Sequence, residues 1–256
     1  MIYSFKKGEP TNGWVVIVHG LGEHIGRYER LINILVDNGF GVFGFDLPGH
    51  GKSSGKRGHT SIEEAIEIID EMTKSVNPFT IFGHSLGGLI AIRYTEERPN
   101  KISKLVVSSP ALYLEPKPSQ KMMMRIFSLL APTMTVKNGI DPNLLSRSKE
   151  AVEKYIKDPM VHDRISIKLG KSMLKNVELA HEQSGRIKCP VAILIGTEDK
   201  VTPPEGAKRF FEELDTQKRI EEFSGGYHEL FEDPEHSDKF HERILYYINA
   251  WDGVEK

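Results

Sequence analysis

The stretch IFGHSLGGLI, residues 81–90, places one serine between two glycines where two apolar segments meet. The segment before it, FTIF, is typical of a buried strand, and LGGLIAIRYTEERP after it has the spacing of a helix that Pro99 closes. A sharp strand-to-helix turn forces Ser85 at its apex into a strained backbone conformation, and Gly83 and Gly87 lack the side chains that would clash there. The stretch therefore predicts a nucleophilic serine, and the plainer interpretation is a serine that caps the helix.

On both sides of this turn, short apolar segments rich in β-branched residues alternate with amphipathic ones. WVVIVHG, GVFGF, ISKLVVSS and VAILIG have strand patterns, and helical patterns lie between them. Strands that are apolar throughout and alternate with helices indicate a parallel sheet covered on both faces. The expected fold class is therefore α/β, with a mostly parallel, doubly wound sheet.

The alternation stops between residues 111 and 187. The segments KMMMRIFSLLAP, EAVEKYIKDP and ISIKLGKSMLKNVELAHEQS have helical patterns there, with no strand pattern among them. We therefore expect one domain, with residues 1–110 and 188–256 as the α/β core. Residues 111–187 form a helical insertion in that domain, expected to lie on the sheet as a cap.

The composition excludes several classes of function. A formal net charge of -2 over 256 residues offers no basic surface for nucleic acid, so no nucleic-acid partner is expected. The single cysteine, Cys189, rules out an intrachain disulfide and a cysteine-based metal cluster. GHGKS lacks the first glycine of a phosphate-binding loop, and no His-Glu-x-x-His motif is present, so we expect neither a cofactor nor a metal. Without a signal-peptide pattern or an apolar run of about 18 residues, a cytoplasmic protein is expected.

Two side chains in later loops are candidate partners for the serine. A serine hydroxyl is a weak nucleophile unless a base accepts its proton and a carboxylate orients that base. In sheets of this kind the catalytic groups follow the carboxyl ends of strands, in the chain order serine, acid, histidine. Asp199 follows the strand VAILIG and His228 follows KRIEEF, so they are the expected acid and base for Ser85. Glu198 is the alternative acid, and a solvated loop carboxylate and a surface histidine are the plainer interpretations.

Acyl transfer also requires donors for the negative oxygen that forms in the transition state. The backbone N–H of Leu86 opens the helix after the serine, and that of Leu21 lies in HGLGEH, where two glycines let the backbone turn inward. We expect these two groups to form the oxyanion hole. A simple strand-to-loop turn is the alternative interpretation of HGLG.

Taken together, these motifs resemble the α/β-hydrolase family, and within it the monoacylglycerol lipases and lysophospholipases. The resemblance covers nearly the whole chain and is carried by VHGLGEHIGRY, FDLPGHGKSSG, GHSLGG, LLSRSKEAVEKYIKDPMVH, GTEDKVTPP and YHELFED. It implies an α/β-hydrolase fold, the triad Ser85, Asp199 and His228, and a monoacylglycerol or similar single-chain lipid ester as the substrate. A broad carboxylesterase, a lysophospholipase and a catalytically silent ligand-binding relative are the alternatives.

The resemblance further implies that Glu23, Arg27 and Tyr155 meet the glycerol end of the substrate. A charge pair between Glu23 and Arg27 that fixes the oxyanion loop explains the same pattern equally well. In the insertion, one helical face carries flexible methionines and other apolar side chains that would suit an acyl tunnel and contact with a lipid interface: Met122, Met123, Ile126 and Phe127. Simple packing of this helix on the sheet is the alternative.

Overall fold

The structure is a computed structural model, which describes residues 1–114, 131 and 133–251. Its strands are β1 (Ser4–Lys7), β2 (Trp14–Val18), β3 (Gly41–Phe45), β4 (Phe79–His84), β5 (Ile102–Ser108), β6 (Thr135–Lys137), β7 (Arg164–Ser166), β8 (Val191–Gly196) and β9 (Lys218–Phe223). Its α-helices are α1 (Glu29–Asp37), α2 (Ile62–Met72), α3 (Leu86–Glu97), α4 (Lys149–Lys157), α5 (Ile167–Gln183), α6 (Pro204–Glu213) and α7 (Ser237–Asn249). Short 3-10 helices cover Ile25–Tyr28, Pro99–Lys101, Pro142–Leu144, Ser184–Arg186 and Leu230–Glu232.

Seven of the described strands form one sheet, in the order β1-β3-β2-β4-β5-β8-β9. Every pairing in this sheet is parallel except that of β1 with β3, in which Ser4 lies opposite Phe45. The prediction of a mostly parallel sheet is confirmed. The antiparallel edge strand β1 was not predicted, because its four residues are largely exposed and show no apolar pattern.

The sheet has a core on each face. Along β2, Val16 and Val18 pack into a core shared with α2, α3, α5 and α6, whereas Val15 and Ile17 pack into a second core with α1 and α7. All four side chains are fully buried. Because successive side chains of a strand point to opposite faces, a strand buried on both sides is apolar throughout, as the sequence indicates.

Serine side chains cap the N-termini of helices α2, α4 and α5. In α2, Ser61 Oγ accepts a hydrogen bond of 3.3 Å from the backbone N–H of Glu64. Helix α3 ends at Glu97, two residues before Pro99. The short 3-10 helix Ile25–Tyr28 continues directly into α1.

Between β5 and β8, the described chain contains two strands as well as helices α4 and α5. Strands β6 and β7 pair antiparallel, with Val136 opposite Ile165, so the expectation that this segment holds no strand is wrong. Three residues are too few to show strand periodicity in a sequence. The helix predicted from Ile165 begins at Ile167, because Ser166 Oγ accepts the N–H of Leu169 at 3.1 Å and caps it. The domain boundaries at residues 111 and 187 stay a prediction.

No helix within residues 1–114 and 133–251 is both long and apolar enough to span a membrane.

Candidate active site

Ser85 lies at the apex of the turn between β4 and α3, with φ 54° and ψ -118°. This conformation is rare for a residue with a side chain and costs on the order of 1–3 kcal/mol. Its glycine neighbours are obligatory, because a methyl group on Gly83 would lie 2.2 Å from Gly87 O, and one on Gly87 would lie 2.1 Å from Val18 O. The Ser85 side chain makes no capping hydrogen bond to α3, so the interpretation of this serine as a helix cap is wrong.

Asp199 and His228 are brought into direct contact. Asp199 lies in the loop after β8, His228 lies in the loop after β9, and Asp199 Oδ2 is 2.8 Å from His228 Nδ1. Both side chains are buried, which contradicts the plainer interpretations of a solvated carboxylate and a surface histidine. The alternative acid, Glu198, is exposed.

The three candidate residues follow strands of the same sheet. Ser85 follows β4, and β5 and β8 separate it from β9, the strand that leads to His228. No hydrogen bond within the described part of the chain joins Ser85 Oγ to the His228 ring. Such contacts are often long in unliganded enzymes and tighten when the substrate binds. We therefore propose Ser85, Asp199 and His228 as a triad because all three follow strand ends at the same edge of the sheet.

A turn that was not predicted from the sequence stabilises the negative charge of Asp199. Its Oδ1 accepts hydrogen bonds from the backbone N–H groups of Val201 and Thr202, at 2.8 and 2.9 Å. Thr202 Oγ1 lies 2.8 Å from Asp199 Oδ2 and 3.1 Å from His228 Nδ1. Aspartate side chains commonly accept a hydrogen bond from the backbone two residues further along, and this tendency could have predicted the turn that brings Thr202 to Asp199.

The surroundings of Asp199 and His228 determine the protonation state of both side chains. Burial opposes the charge on both side chains, but their mutual attraction and hydrogen bond outweigh it. The pKa of His228 therefore lies above its ordinary value, and the pKa of Asp199 lies below its own. An ionised Asp199 thus supports a basic ring nitrogen at His228, which is the property that a proton acceptor for a serine requires.

A second histidine, His84, lies next to this pair, with its ring centroid 4.7 Å from that of His228. Its Nδ1 is 3.3 Å from Ser108 Oγ, and burial together with the charge on His228 lowers its pKa to about 3. His84 is therefore neutral and has no carboxylate partner in the described structure. These differences favour His228 over His84 as the candidate base.

The loop that precedes α1 holds the predicted oxyanion donor Leu21 beside the serine. A methyl group on Gly20 would lie only 3.2 Å from Ser85 Cβ, so the loop packs directly against the serine turn. Leu21, Ser85 and Leu86 line the same cavity. Among the described residues, neither the Leu21 nor the Leu86 backbone N–H has a hydrogen-bond acceptor. This geometry suits an oxyanion hole.

Glu23 and Arg27 form a buried network behind this loop. Glu23 Oε1 accepts hydrogen bonds of 2.6 Å from the Gly20 N–H and from Tyr28 Oη, and Oε2 accepts one of 2.8 Å from Arg27. Burial raises the pKa of Glu23, but Arg27 and other donors outweigh this effect and hold the pKa at about 2. Of the two interpretations of Glu23 and Arg27, these contacts favour a pair that fixes the oxyanion loop.

Tyr155 and Arg27 belong to a different cavity from the one beside Ser85. The ring of Tyr155 lies 4.8 Å from Arg27 Cζ, and both line a polar cavity of about 860 Å³ that contains none of the three triad residues. The prediction that they contact the glycerol end therefore stays untested.

The cavity beside Ser85 has a volume of about 420 Å³. Nine apolar residues that line it lie within residues 111–187, the predicted insertion: Ala111, Leu114, Val136, Ile140, Leu144, Ile165, Ile167, Met173 and Leu174. The residues predicted to form the acyl tunnel, Met122, Met123, Ile126 and Phe127, lie outside the described residues. The described residues hold no cluster of three or more histidine, cysteine, aspartate or glutamate side chains that could bind a metal ion.

Comparison with known proteins identifies relatives over nearly the whole chain. Residues 9–235 match the family model described as serine aminopeptidase, S33. The chain is 30% identical to the monoglyceride lipase of Mus musculus over 260 residues, covering 96% of this chain and 84% of that protein. It is 32% identical to an uncharacterized abhydrolase domain-containing protein of Dictyostelium discoideum over 93% of this chain, but it spans only 26% of that longer protein.

Among solved structures, the crystal structure of Paleococcus ferrophilus monoacylglycerol lipase superposes with a TM-score of 0.95. The two chains are 52% identical, and the match covers 98% of this chain and 99% of the other. The match therefore extends over nearly the full length of both chains.

Proposed function

The chain belongs to the serine aminopeptidase S33 family of α/β-hydrolases, and from this premise we propose that it hydrolyses monoacylglycerols to glycerol and a fatty acid through an acyl-enzyme on Ser85. The family and fold implied by the sequence motifs are confirmed by these relatives. The family description names a peptidase, but ester and peptide hydrolysis share the same acyl transfer to serine. The named lipase relatives favour the ester.

One observation carries the proposal. A buried hydrogen bond joins Asp199 to His228, and the strained turn of Ser85 lies on the same edge of the sheet and opens onto an apolar cavity. A strained backbone persists only where the surrounding structure enforces it, and such positions cluster at functional sites. A lipid acyl chain matches the apolar lining.

The reaction proceeds in two steps. His228 accepts the proton of Ser85 Oγ as this oxygen attacks the ester carbonyl carbon, and the N–H groups of Leu21 and Leu86 stabilise the negative oxygen that forms. The imidazolium, balanced by the charge of Asp199, then gives its proton to the departing glycerol oxygen. Water repeats the sequence on the acyl-enzyme and releases the fatty acid.

The placement of the substrate follows from the lining of the cavity. The acyl chain lies against the apolar side chains of the insertion, where each buried methylene contributes roughly 0.8 kcal/mol. Met134, in the insertion, exposes 39% of its surface, and Ile156 in α4 exposes 61%. We include in the proposal that this part of the insertion contacts lipid interfaces, and that the protein acts in the cytoplasm.

The experiment is a substrate series measured on the wild-type protein and on Ser85→Ala. Monoacylglycerols of increasing chain length are compared with di- and triacylglycerols, lysophospholipids and an amide of the same acyl group. We expect the highest kcat/KM on monoacylglycerols, and a loss of kcat on the order of 10⁶-fold in Ser85→Ala. A fluorophosphonate should label the wild type but not this variant.

Ser103→Ala serves as the matched control, because Ser103 is an exposed serine on β5, away from the turn. It should retain full activity and labelling. Undiminished turnover by Ser85→Ala would contradict the mechanism, and a preference for lysophospholipids or amides would contradict the substrate assignment.

A further inference from the structure

Ser109 has a backbone conformation that its position in the sequence disfavours. It directly follows β5, its φ is 42°, and apart from Ser85 it is the only residue other than glycine with a positive φ in the described part of the chain. Such a φ is uncommon for a residue with a side chain, and the residue before a proline, here Pro110, normally has an extended backbone. A strained backbone persists only where surrounding contacts enforce it, and such residues cluster at functional sites.

The side chain of Ser109 binds the loop that carries the candidate base. Its hydroxyl donates a hydrogen bond of 3.0 Å to His228 O, and both residues are buried. The same peptide group is also held at its nitrogen, because the Glu229 N–H donates a hydrogen bond of 2.8 Å to Leu145 O. Both polar atoms of the peptide group after His228 are therefore fixed, the oxygen by Ser109 and the nitrogen by a residue of the predicted insertion.

The backbone of Ser109 binds the turn of the candidate acid. The Thr202 hydroxyl, which lies 2.8 Å from Asp199 Oδ2, also lies 3.0 Å from Ser109 O. The Ser109 N–H donates a hydrogen bond of 2.9 Å to Leu194 O in β8, the strand that precedes Asp199. Ser109 is thus connected by hydrogen bonds to the loop of the acid as well as to the loop of the base.

The neighbours of Ser109 in the chain bind the serine turn. The Ser85 N–H donates a hydrogen bond of 3.0 Å to Ser108 O, and Ser85 O accepts one of 3.0 Å from the Ala111 N–H. Residues 108–111 are therefore connected to all three candidate triad residues. A displacement at this segment changes the distance between the nucleophile and its base, and a misplacement of about 1 Å can lower a rate about 100-fold.

We propose that Ser109 is a positioning residue, whose hydroxyl holds the backbone of His228 at the place from which its ring can serve Ser85. This inference rests on the proposed hydrolysis at Ser85. Ser109 exposes only 1% of its surface, so it acts through His228 and not by touching the ester. Its contribution should therefore be the same for every ester that the enzyme accepts.

The test measures kcat and KM on monooctanoylglycerol and on p-nitrophenyl butyrate for the wild type, Ser109→Ala and Ser109→Gly. Both variants remove the hydroxyl. Glycine also adopts a positive φ without strain, so Ser109→Gly keeps the backbone conformation even where Ser109→Ala fails to fold. We expect kcat to fall about 10- to 100-fold in both variants and by the same factor on both esters, while KM changes less than about twofold.

Ser184→Ala is the matched control. Ser184 is also buried, and its hydroxyl also donates a hydrogen bond to the backbone carbonyl of a distant residue, Glu213, at 3.1 Å. It follows α5, away from the three loops of the candidate triad. We expect its melting temperature to fall about as much as that of Ser109→Ala, with kcat within about twofold of the wild type.

The pH–rate profile distinguishes positioning from a general loss of stability. Burial lowers the pKa of His228, but the attraction and hydrogen bond of Asp199, together with the charges of Glu229 and Glu23, outweigh it. A base that moves away from Asp199 loses part of this attraction, so its pKa falls. The acid limb of kcat/KM should therefore move to lower pH in both Ser109 variants and stay in place in the control.

The outcomes separate this inference from the function on which it rests. An active wild type with unchanged kcat or an unchanged acid limb in Ser109→Gly overturns the role of the Ser109 hydroxyl alone, and so does an equal loss of kcat in Ser184→Ala. A wild type that cleaves only the nitrophenyl ester overturns the monoacylglycerol assignment, and the kcat of the variants on that ester then decides the role of Ser109. A wild type that is inactive on both esters and is not labelled by a fluorophosphonate overturns the proposed function and this inference with it.

Discussion

Arg27 and Glu229 form a bidentate ion pair, with distances of 2.6 and 2.7 Å from the guanidinium nitrogens to the two carboxylate oxygens. The residues are 202 positions apart in the chain. Arg27 also binds Glu23, which holds the oxyanion loop, and Glu229 directly follows His228. The pair therefore connects the predicted oxyanion hole to the loop that carries the base.

Loss of Arg27 should destabilise the protein more than loss of Glu229. Arg27→Met leaves Glu23 and Glu229 buried without a counter-charge, and breaking a buried pair in this way costs about 3–5 kcal/mol. Glu229→Gln leaves Arg27 paired with Glu23, so its cost is nearer the 1–3 kcal/mol of an impaired buried hydrogen bond. Urea unfolding at neutral pH measures both free energies. Equal losses would contradict the assigned network.

The destabilisation caused by Arg27→Met should shrink as the pH falls. In the wild type, burial opposes the charge on Glu23, but Arg27 together with the neighbouring histidines and Tyr28 holds its pKa at about 2, below the ordinary 4.5. Glu23 thus stabilises the native state above pH 4.5, and this contribution is lost as the pH falls towards 2. Without Arg27, burial raises the pKa of Glu23, so the variant gains relative stability when Glu23 is protonated. A difference in unfolding free energy that is constant between pH 7 and pH 4 would refute this.

Asp199→Asn should move the acid limb of the pH–rate profile to lower pH. The wild-type rate depends on a neutral His228, whose pKa is raised because burial is outweighed by the attraction and hydrogen bond of Asp199 together with the charges of Glu229 and Glu23. The rate therefore rises as the pH passes upward through this pKa. In the variant, only the smaller effects of Glu229 and Glu23 oppose burial, so the pKa of His228 falls. The value of kcat drops by on the order of 10⁴-fold because the ring loses its orienting partner. The measurement is kcat/KM on one monoacylglycerol from pH 5 to pH 9, with Glu198→Gln as the control that keeps the wild-type limb.

His24 and Asp158 should couple the insertion to the oxyanion loop. His24 Nε2 lies 2.9 Å from Asp158 Oδ2, and the nearby His162 N–H donates a hydrogen bond of 2.8 Å to Gly22 O. In a double-mutant cycle of His24→Ala and Asp158→Ala, we expect a coupling energy of about 1 kcal/mol in unfolding free energy. The exposed pair Glu153 and Lys157 in α4 provides the control cycle, with an expected coupling of about 0.3–0.5 kcal/mol. Strictly additive losses at His24 and Asp158 would show that the contact does not couple them.

Leu174→Trp should shorten the range of acyl chains that the enzyme accepts. Leu174 lies in α5, is half-buried and lines the cavity beside Ser85, so a larger ring extends into the cavity. We expect kcat/KM to fall by about 10- to 200-fold on long-chain monoacylglycerols and to be unchanged on monobutyrylglycerol. Leu174→Met, which nearly conserves volume, should retain the wild-type chain-length profile. A uniform loss at every chain length would argue against this placement of the acyl chain.

Much of the fold could be predicted because its signals are local. Apolar strands alternating with amphipathic helices specify a sheet covered on both faces, and a serine between two glycines at a strand-to-helix junction specifies a strained turn. The acid and the histidine could then be predicted because each follows the end of a later strand in the chain. Short elements could not be predicted, because the three-residue strands β6 and β7 are too short to show the alternating hydrophobic pattern of a strand.

The sequence by itself determined the sheet, the serine turn and the candidates Asp199 and His228, since steric exclusion and hydrophobic periodicity act over a few neighbouring residues. Only the tertiary structure decided that Glu229 completes the network of Arg27, that Thr202 holds Asp199, and that Arg27 and Ser85 line different cavities. These relationships join residues from separate elements, and their energies come from burial and charge pairing that exist only once the chain has folded.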